Sequence, residues 1–223
     1  MQQFRCLFTA LCASLALAAT PLWAAEADNG PALSRQGDLL ALDALDQRLA
    51  LPMPDWLAGN VDIEALRVAP ETVYQAGEKE VTLLLYPRAE SEAFWTTRVG
   101  ARISVADDPN LKAYRDVLII GYAQICRPEL TAFFQLSQDR GEDLAPLGFA
   151  CGGYIDRLNG YEGKGEVMVM RFVKTARGVG VVYQEWLGAG FDPADPAGWP
   201  VDPALVERRV TQFDTEITLA LLD

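Results

Sequence analysis

The chain has 223 residues, half of them hydrophobic, and its 31 acidic side chains outnumber 19 basic ones to give a net charge of −12. This composition argues against disorder, which combines high net charge with low hydrophobicity. It also argues against nucleic-acid binding and electrostatic docking to anionic lipids, because an acidic surface repels phosphate groups. The acidity is typical of solubility, and it also suits a basic protein partner.

Residues 1–27 carry the features of a cleaved signal peptide. An apolar run covers residues 7–19, Ala25-Glu26-Ala27 resembles a small-residue cleavage site, and Arg5 is the only charge before that site. A cut three residues earlier is the alternative. The run is shorter than the roughly 20 residues that a membrane-spanning helix needs. We therefore predict a periplasmic protein, or a secreted one as the alternative, with a single α+β domain at residues 28–223 and no integral membrane span.

The first half of this domain is predicted to contain helices and two strands. The leucines at 39, 42, 45 and 49 recur at helical spacing, which predicts an amphipathic helix. A second short helix is predicted within residues 55–68, and residues 89–98 are also predicted as helical. Compact apolar runs at residues 81–86 and 99–105 predict strands.

The second half is predicted to supply most of the sheet. Residues 117–125 are apolar and β-branched, which predicts a central strand. Arg127-Pro128-Glu129 predicts a helix that extends to Gln138, because proline fits the first helical turn. Two further strands, at residues 166–174 and 178–187, are joined by a hairpin turn. Both faces of the first of them are apolar, which predicts that it is covered on both sides.

Asp202 and Pro203 predict the start of a C-terminal helix, because aspartate caps helices and proline occupies the first helical position. Apolar residues then recur at spacings of three and four, at Val206, Val210, Phe213, Ile217 and Leu221. This stripe predicts an amphipathic helix that packs on a sheet. The predicted fold class is α+β, with a mostly antiparallel sheet and helices packed against it.

Cys126 and Cys151 are the cysteines that remain once the signal is removed. An even count in an oxidising compartment predicts one disulfide between them. A redox dithiol would have C-x-x-C spacing and a mixed zinc site would need histidine, so neither alternative fits. The chain-entropy relation gives such a disulfide about 3 kcal/mol of stabilisation.

The chain contains no histidine, which excludes Ser-His-Asp and Cys-His catalysis in their usual form and histidine-bearing zinc sites. A pair of carboxylates, as glycoside hydrolases use, is the catalytic alternative. Glu162 with Glu166, or Asp156 with Glu185, are two pairs that the fold could bring together. Most acidic side chains are solvent-exposed, however, so no catalytic residue is predicted.

Asp192 and Asp195 lie in a proline-rich loop and carry the oxygen ligands that calcium prefers. Asp-Pro is also an ordinary turn dipeptide, and the turn is the favoured interpretation. We predict no metal site and no cofactor.

Residues 141–165 form the candidate binding loop, because glycine-rich loops adapt to partners and tyrosine and arginine are enriched in binding hot spots. The candidate binding residues are Tyr154, Arg157 and Tyr161. The predicted function is an exported periplasmic, non-catalytic binding or accessory protein that binds or inhibits a basic protein partner. The alternative is a histidine-free hydrolase of envelope carbohydrate.

Overall fold

The computed structural model describes residues 30–57, 59, 61–156 and 158–222. The predicted signal peptide lies outside the described residues, and so does Arg157 of the candidate binding loop.

Strands predominate over helices in the described residues. The strands β1 to β11, in chain order, are Ala32–Gln36, Leu39–Ala44, Gln47–Pro52, Thr72–Ala76, Glu80–Leu85, Thr97–Val105, Thr131–Phe134, Leu147–Cys151, Lys164–Lys174, Gly178–Ala189 and Thr218–Leu221. The helices α1 to α3 are Ile63–Arg67, Leu111–Ile125 and Pro203–Glu216.

The strands form two sheets in which every pairing is antiparallel. The larger sheet has seven strands in the order β4-β5-β6-β10-β9-β8-β7, and the smaller has four in the order β1-β2-β3-β11. The predicted mixture of helices with a mostly antiparallel sheet is therefore present, although the sheet is divided in two.

Both faces of the larger sheet are covered around β9 and β10. On one face, α2 contributes Tyr122, whose ring centre lies 5.5 Å from that of Phe149. On the other face, the smaller sheet and α3 share one apolar cluster with β9, which includes Leu49, Val206 and Val169. Residues of β9 are buried on both faces, so the prediction that this strand is covered on both sides is confirmed.

The helix predicted at residues 39–49 is wrong, because this segment forms the β2–β3 hairpin. Leu45 and Asp46 have positive φ angles of 53° and 57°, as a two-residue hairpin turn of the I′ type requires. Asp43 and Arg48 face each other across the hairpin and form a two-bond ion pair. The leucines suit a strand as well as a helix, and long-range pairing with β1 and β11 decides between them.

The central strand predicted at residues 117–125 is also wrong, because this segment is the second half of α2. The helix begins after Asn110, whose side chain accepts a hydrogen bond from the Ala113 N–H at 3.0 Å. Val117 and Ile120 are 68% and 57% exposed, so the β-branched run lies partly on an outer helix face. The N-cap therefore overrides the strand propensity of the run.

Two further helix predictions are wrong. Residues 127–138 form a short 3-10 turn, Pro128–Leu130, followed by β7, which pairs with β8. Residues 89–98 form a turn region that ends where β6 begins. There, the carboxylate of Glu90 accepts hydrogen bonds from the Thr96 N–H and hydroxyl. Side-chain contacts of this kind compete with helical hydrogen bonding.

Several local predictions are confirmed. Strands are present at residues 81–86, 99–105, 166–174 and 178–187, with small shifts at their ends. A short helix, α1, lies within residues 55–68.

The C-terminal helix begins at Pro203, and the Asp202 side chain caps it by accepting from the Ala204 N–H at 2.8 Å. Val206, Val210 and Phe213 are buried in α3. The predicted stripe extends too far, because Leu221 lies in β11 and is 47% exposed.

Candidate functional site

The candidate binding loop folds around a disulfide between Cys126 and Cys151, whose Cα atoms are 5.7 Å apart. Cys126 follows the last residue of α2 and Cys151 is the last residue of β8, so the bond joins this helix to the larger sheet. Cys126 also forms an isolated β-bridge with Tyr154, which holds the loop after β8 against the end of α2. The disulfide that the sequence predicts is present.

Two of the three candidate binding residues lie together. The rings of Tyr154 and Tyr161 meet edge to face, with their centres 4.8 Å apart. Tyr154 is buried and Tyr161 is half-buried, so the first supplies a fixed wall and the second reaches towards solvent.

A pocket of about 310 Å³ opens beside Tyr154, between the loop after β8, the turn before β9 and the loop after β10. We call it the Tyr154 pocket, and its lining residues are Arg127, Leu130, Gly152, Gly153, Tyr154, Gly163, Lys164, Gly190 and Phe191. Its volume is at the lower end of the range of about 300–1,000 Å³ that small-molecule sites occupy.

Glycines allow the three segments to meet at this pocket. The Phe191 N–H donates to the Gly152 carbonyl at 2.9 Å, and the Gly190 N–H donates to the Gly163 carbonyl at 2.8 Å. A Cβ atom at Gly152 would overlap the Phe191 carbonyl oxygen. Gly163 has a φ of 69°, which other residues rarely adopt. Much of the pocket wall is therefore backbone.

Two cationic side chains line the pocket. The Arg127 guanidinium forms an ion pair with Asp156. The Lys164 ammonium lies 5.7 Å from the centre of the Tyr161 ring. Within the part of the chain that the structure describes, no carboxylate lies within ion-pairing distance of Lys164. Lys164 is thus a pocket-lining lysine for which the described residues provide no ion pair.

A pair of buried carboxyl groups lies on the face of the larger sheet that α2 covers. Glu166 of β9 is opposite Leu187 of β10, and Glu185 is opposite Met168, so the two glutamates are diagonal neighbours on one face. Glu166 is 4% exposed and Glu185 is fully buried. This register places the two buried carboxyl groups next to each other in the interior, and the charge of Glu185 acts on Glu166.

Each carboxyl group has one oxygen with a described partner and one without. The Tyr154 hydroxyl donates to Oε2 of Glu166, and Nε of Arg98 donates to Oε2 of Glu185. The Oε1 atoms of both glutamates are buried and have no donor among the described residues. Arg98 itself stacks over the Trp95 ring, at 4.2 Å from its centre.

Burial raises the pKa of the Glu166 carboxyl well above its ordinary value, and the charge of Glu185 raises it further. The hydrogen bond from Tyr154 and the charge of Arg98 act in the opposite direction. Burial also raises the pKa of the surrounding tyrosine hydroxyls, which keeps them neutral, at Tyr86, Tyr122, Tyr154 and Tyr183.

Tyr154 joins the pocket to the buried carboxyl pair. Tyr154 is one of the residues that line the pocket, and its hydroxyl donates a hydrogen bond to Glu166. The same residue therefore borders the pocket and contacts the carboxyl pair.

Neither of the two carboxylate pairs considered from the sequence meets in the fold, but one member of each lies beside the other. Glu162 accepts a hydrogen bond from the Gly160 N–H at 2.9 Å, and Asp156 pairs with Arg127. The glutamates that meet are Glu166 and Glu185, one from each pair. Their contact depends on the β9–β10 register, which sequence spacing alone does not show.

Asp192 and Asp195 support turns in the loop after β10. Their side chains accept hydrogen bonds from the Ala194 and Ala197 N–H groups, at 2.9 and 3.2 Å. Across the described ranges, no group of three or more acidic residues or cysteines is arranged to hold a metal ion. The turn is thus the role that the contacts give to these aspartates.

Sequence reasoning missed Lys164 and Arg98. Lys164 is the first residue of β9 and Arg98 lies in β6, 87 positions before the glutamate that it pairs with. The detectable signal was a glutamate within the apolar part of each of two strands, because a charged group at a buried strand position needs a partner.

Comparison of the chain with protein-family models, curated proteins and solved structures found no match. Of the helices in the described part of the chain, none has the length and apolar character needed to cross a membrane.

Proposed function

We propose that the protein is an exported, non-catalytic binding protein of the periplasm and that the Tyr154 pocket holds its ligand. The observation that carries the proposal is a pocket of about 310 Å³ whose lining combines four glycines, two aromatic residues and a lysine that has no ion pair among the described residues. The disulfide beside it supports export, because such bonds persist in oxidising compartments.

The lining of the pocket favours a small organic anion as the ligand. Lys164 offers an ammonium group as the counter-charge for an anion. The lining also includes the aromatic residues Tyr154 and Phe191, which suits a ligand with an apolar part.

The buried carboxyl pair supports binding over carbohydrate hydrolysis. Glycoside hydrolases keep their two carboxyl groups about 5–9.5 Å apart, so that the sugar and a nucleophile or water fit between them. Glu166 and Glu185 are buried diagonal neighbours in the sheet, and α2 covers the face on which they lie. Because both groups are buried under this cover, the arrangement does not suit a sugar substrate that must lie between them.

The basic protein partner is a proposal that rests on the acidity of the chain. Opposite net charges accelerate association and improve its specificity, and such binding weakens as salt is added. A partner of this kind would contact the acidic outer surface rather than the lysine-bearing pocket.

The ligand proposal is tested by titrating the purified protein with benzoate and with inorganic phosphate while recording amide NMR spectra. We expect saturable shifts of the Gly153, Gly163 and Gly190 amides with benzoate. Lys164→Gln should abolish them, and Lys79→Gln, which changes an exposed lysine outside the pocket, should preserve them. Equal shifts in both variants, or none in the wild type, would overturn the proposal.

Export is tested separately by cell fractionation and N-terminal sequencing. We expect the protein in the periplasmic fraction with a mature chain that begins at Asp28 or Ala25. An intact N-terminus in the cytoplasmic fraction would refute export. Release of sugars from envelope glycans by the wild type, lost in Glu166→Gln, would establish the hydrolase instead.

A further inference from the structure

The buried carboxyl pair contains more negative charge than its surroundings balance. Arg98 is the cation bonded to Glu185, whereas Glu166 has a tyrosine hydroxyl as its donor. Two ionised carboxylates in contact, away from water, would repel each other strongly. In addition, the Oε1 atoms of both glutamates have no donor among the described residues, although buried oxygens normally have one.

The groups that face the pair do not supply the missing positive charge. Arg102 of β6 also lies on this face, and its Nε is 3.7 Å from Oε1 of Glu80. The remaining facing groups are the neutral hydroxyls of four tyrosines: Tyr86 just after β5, Tyr122 of α2, Tyr154 after β8 and Tyr183 of β10. One proton on the pair removes the imbalance.

We propose that Glu166 and Glu185 hold one proton between their Oε1 atoms, and that this proton makes the wall of the Tyr154 pocket sensitive to pH. Glu166 carries the proton and donates it to Oε1 of Glu185, which satisfies both oxygens. Glu185 keeps its negative charge, which Arg98 balances. Release of the proton to solvent leaves a second negative charge behind Tyr154. The effect on ligands rests on the proposed binding function, whereas the shared proton does not.

The direction of the pH dependence follows from the raised pKa of Glu166. The proton stabilises the fold fully below the ordinary glutamate pKa of 4.5, and this contribution is lost as pH rises through the raised pKa. An anion in the Tyr154 pocket loses affinity over the same range, because the new charge repels it. We expect a loss of about three- to tenfold for a charge that lies behind one side chain.

Two substitutions separate a shared proton from a purely structural pair. In Glu166→Gln, the amide can accept from Tyr154 and donate to Oε1 of Glu185, as the protonated acid does. In Glu185→Gln, Arg98 loses its buried counter-charge. We expect Glu166→Gln to melt near the wild type at low pH and to lose the pH-dependent step, and Glu185→Gln to melt lower at every pH.

The deciding experiment is a carbon NMR titration of the glutamate carboxyl groups in the wild-type protein, with benzoate affinity measured at each pH. We expect the Glu166 resonance to keep the protonated shift above pH 4.5 and to move in step with the loss of affinity. An ionised Glu166 at pH 5, or equal melting behaviour of the two variants, would overturn the shared proton. Benzoate that binds with equal affinity at every pH would overturn its effect on the pocket. If benzoate does not bind at any pH, the proposed function fails. The Glu166 carboxyl resonance then still shows whether the pair holds a shared proton.

Discussion

The hydroxyl of Tyr154 donates a hydrogen bond to Oε2 of Glu166, which connects the wall of a surface pocket to a carboxyl group in the interior. The other oxygen of Glu166 has no donor among the described residues, so Tyr154 supplies the one described hydrogen bond to this carboxyl group. We therefore expect Tyr154→Phe to lower the free energy of unfolding by about 1–3 kcal/mol, the cost of an unsatisfied buried acceptor.

Urea denaturation at neutral pH measures this effect, and Tyr161→Phe is the matched control. Tyr161 packs its ring against Tyr154, and its hydroxyl has no described hydrogen bond. The control should change the free energy by less than about 0.5 kcal/mol. Equal losses in the two variants would show that ring packing, and not the hydroxyl, supports the site.

The disulfide makes a second prediction. Replacing Cys126 and Cys151 together by alanine should lower the free energy of unfolding by about 2–4 kcal/mol, because the unfolded chain loses the constraint of a closed loop. Reducing agent should lower the melting temperature of the wild type and leave that of the double variant unchanged. A double variant as stable as the oxidised wild type contradicts this account.

The ion pair between Asp139 and Arg115 makes a prediction about acid. The hydrogen bonds from Arg115 lower the pKa of Asp139 from 3.8 to about 2. Because the folded pKa is lowered, the pair stabilises the protein above pH 3.8, and this contribution is lost as pH falls through about 2. We expect Asp139→Asn to be less stable than the wild type by about 1 kcal/mol or less at neutral pH, since the carboxylate is partly exposed.

Urea denaturation between pH 2 and pH 7 measures this difference. Arg115→Gln should show the same convergence with the wild type at low pH, because it removes the other half of the pair. A difference that stays constant down to pH 2 rules out the ion pair as its source.

Two glycines should respond to alanine in opposite directions. Gly152→Ala should prevent stable folding or lower stability by several kcal/mol, because the added Cβ overlaps the backbone of Phe191. Gly121→Ala should raise stability by about 0.5–1 kcal/mol, because this residue is exposed in α2 with open space around it. Thermal unfolding of the two variants provides the comparison, and a tolerated Gly152→Ala would mean that the pocket wall is not closely packed.

Local patterns were sufficient for the parts of the fold that neighbouring residues decide. The β9–β10 hairpin follows from two apolar runs separated by a short turn, and its antiparallel pairing needs no distant segment. The start of α3 follows from Asp202 and Pro203, which satisfy a helix terminus by themselves. The disulfide follows from an even cysteine count together with the predicted export to an oxidising compartment.

Tertiary structure decided between helix and strand in the segments whose apolar spacing fits both. The leucines of residues 39–49 suit either a helix or a hairpin, and strand pairing on both sides of the hairpin selects the second. Residues 117–125 have strand propensity but follow the capped start of α2.

The sequence alone nominated Tyr154 and Tyr161, because tyrosines in a glycine-rich loop are a local signal. The meeting of Glu166 with Glu185 depends on strand register, and the approach of Arg98 depends on pairing between β6 and β10. Contacts between residues distant in the chain carry no local pattern, so only the folded sheet decides which charges share the interior.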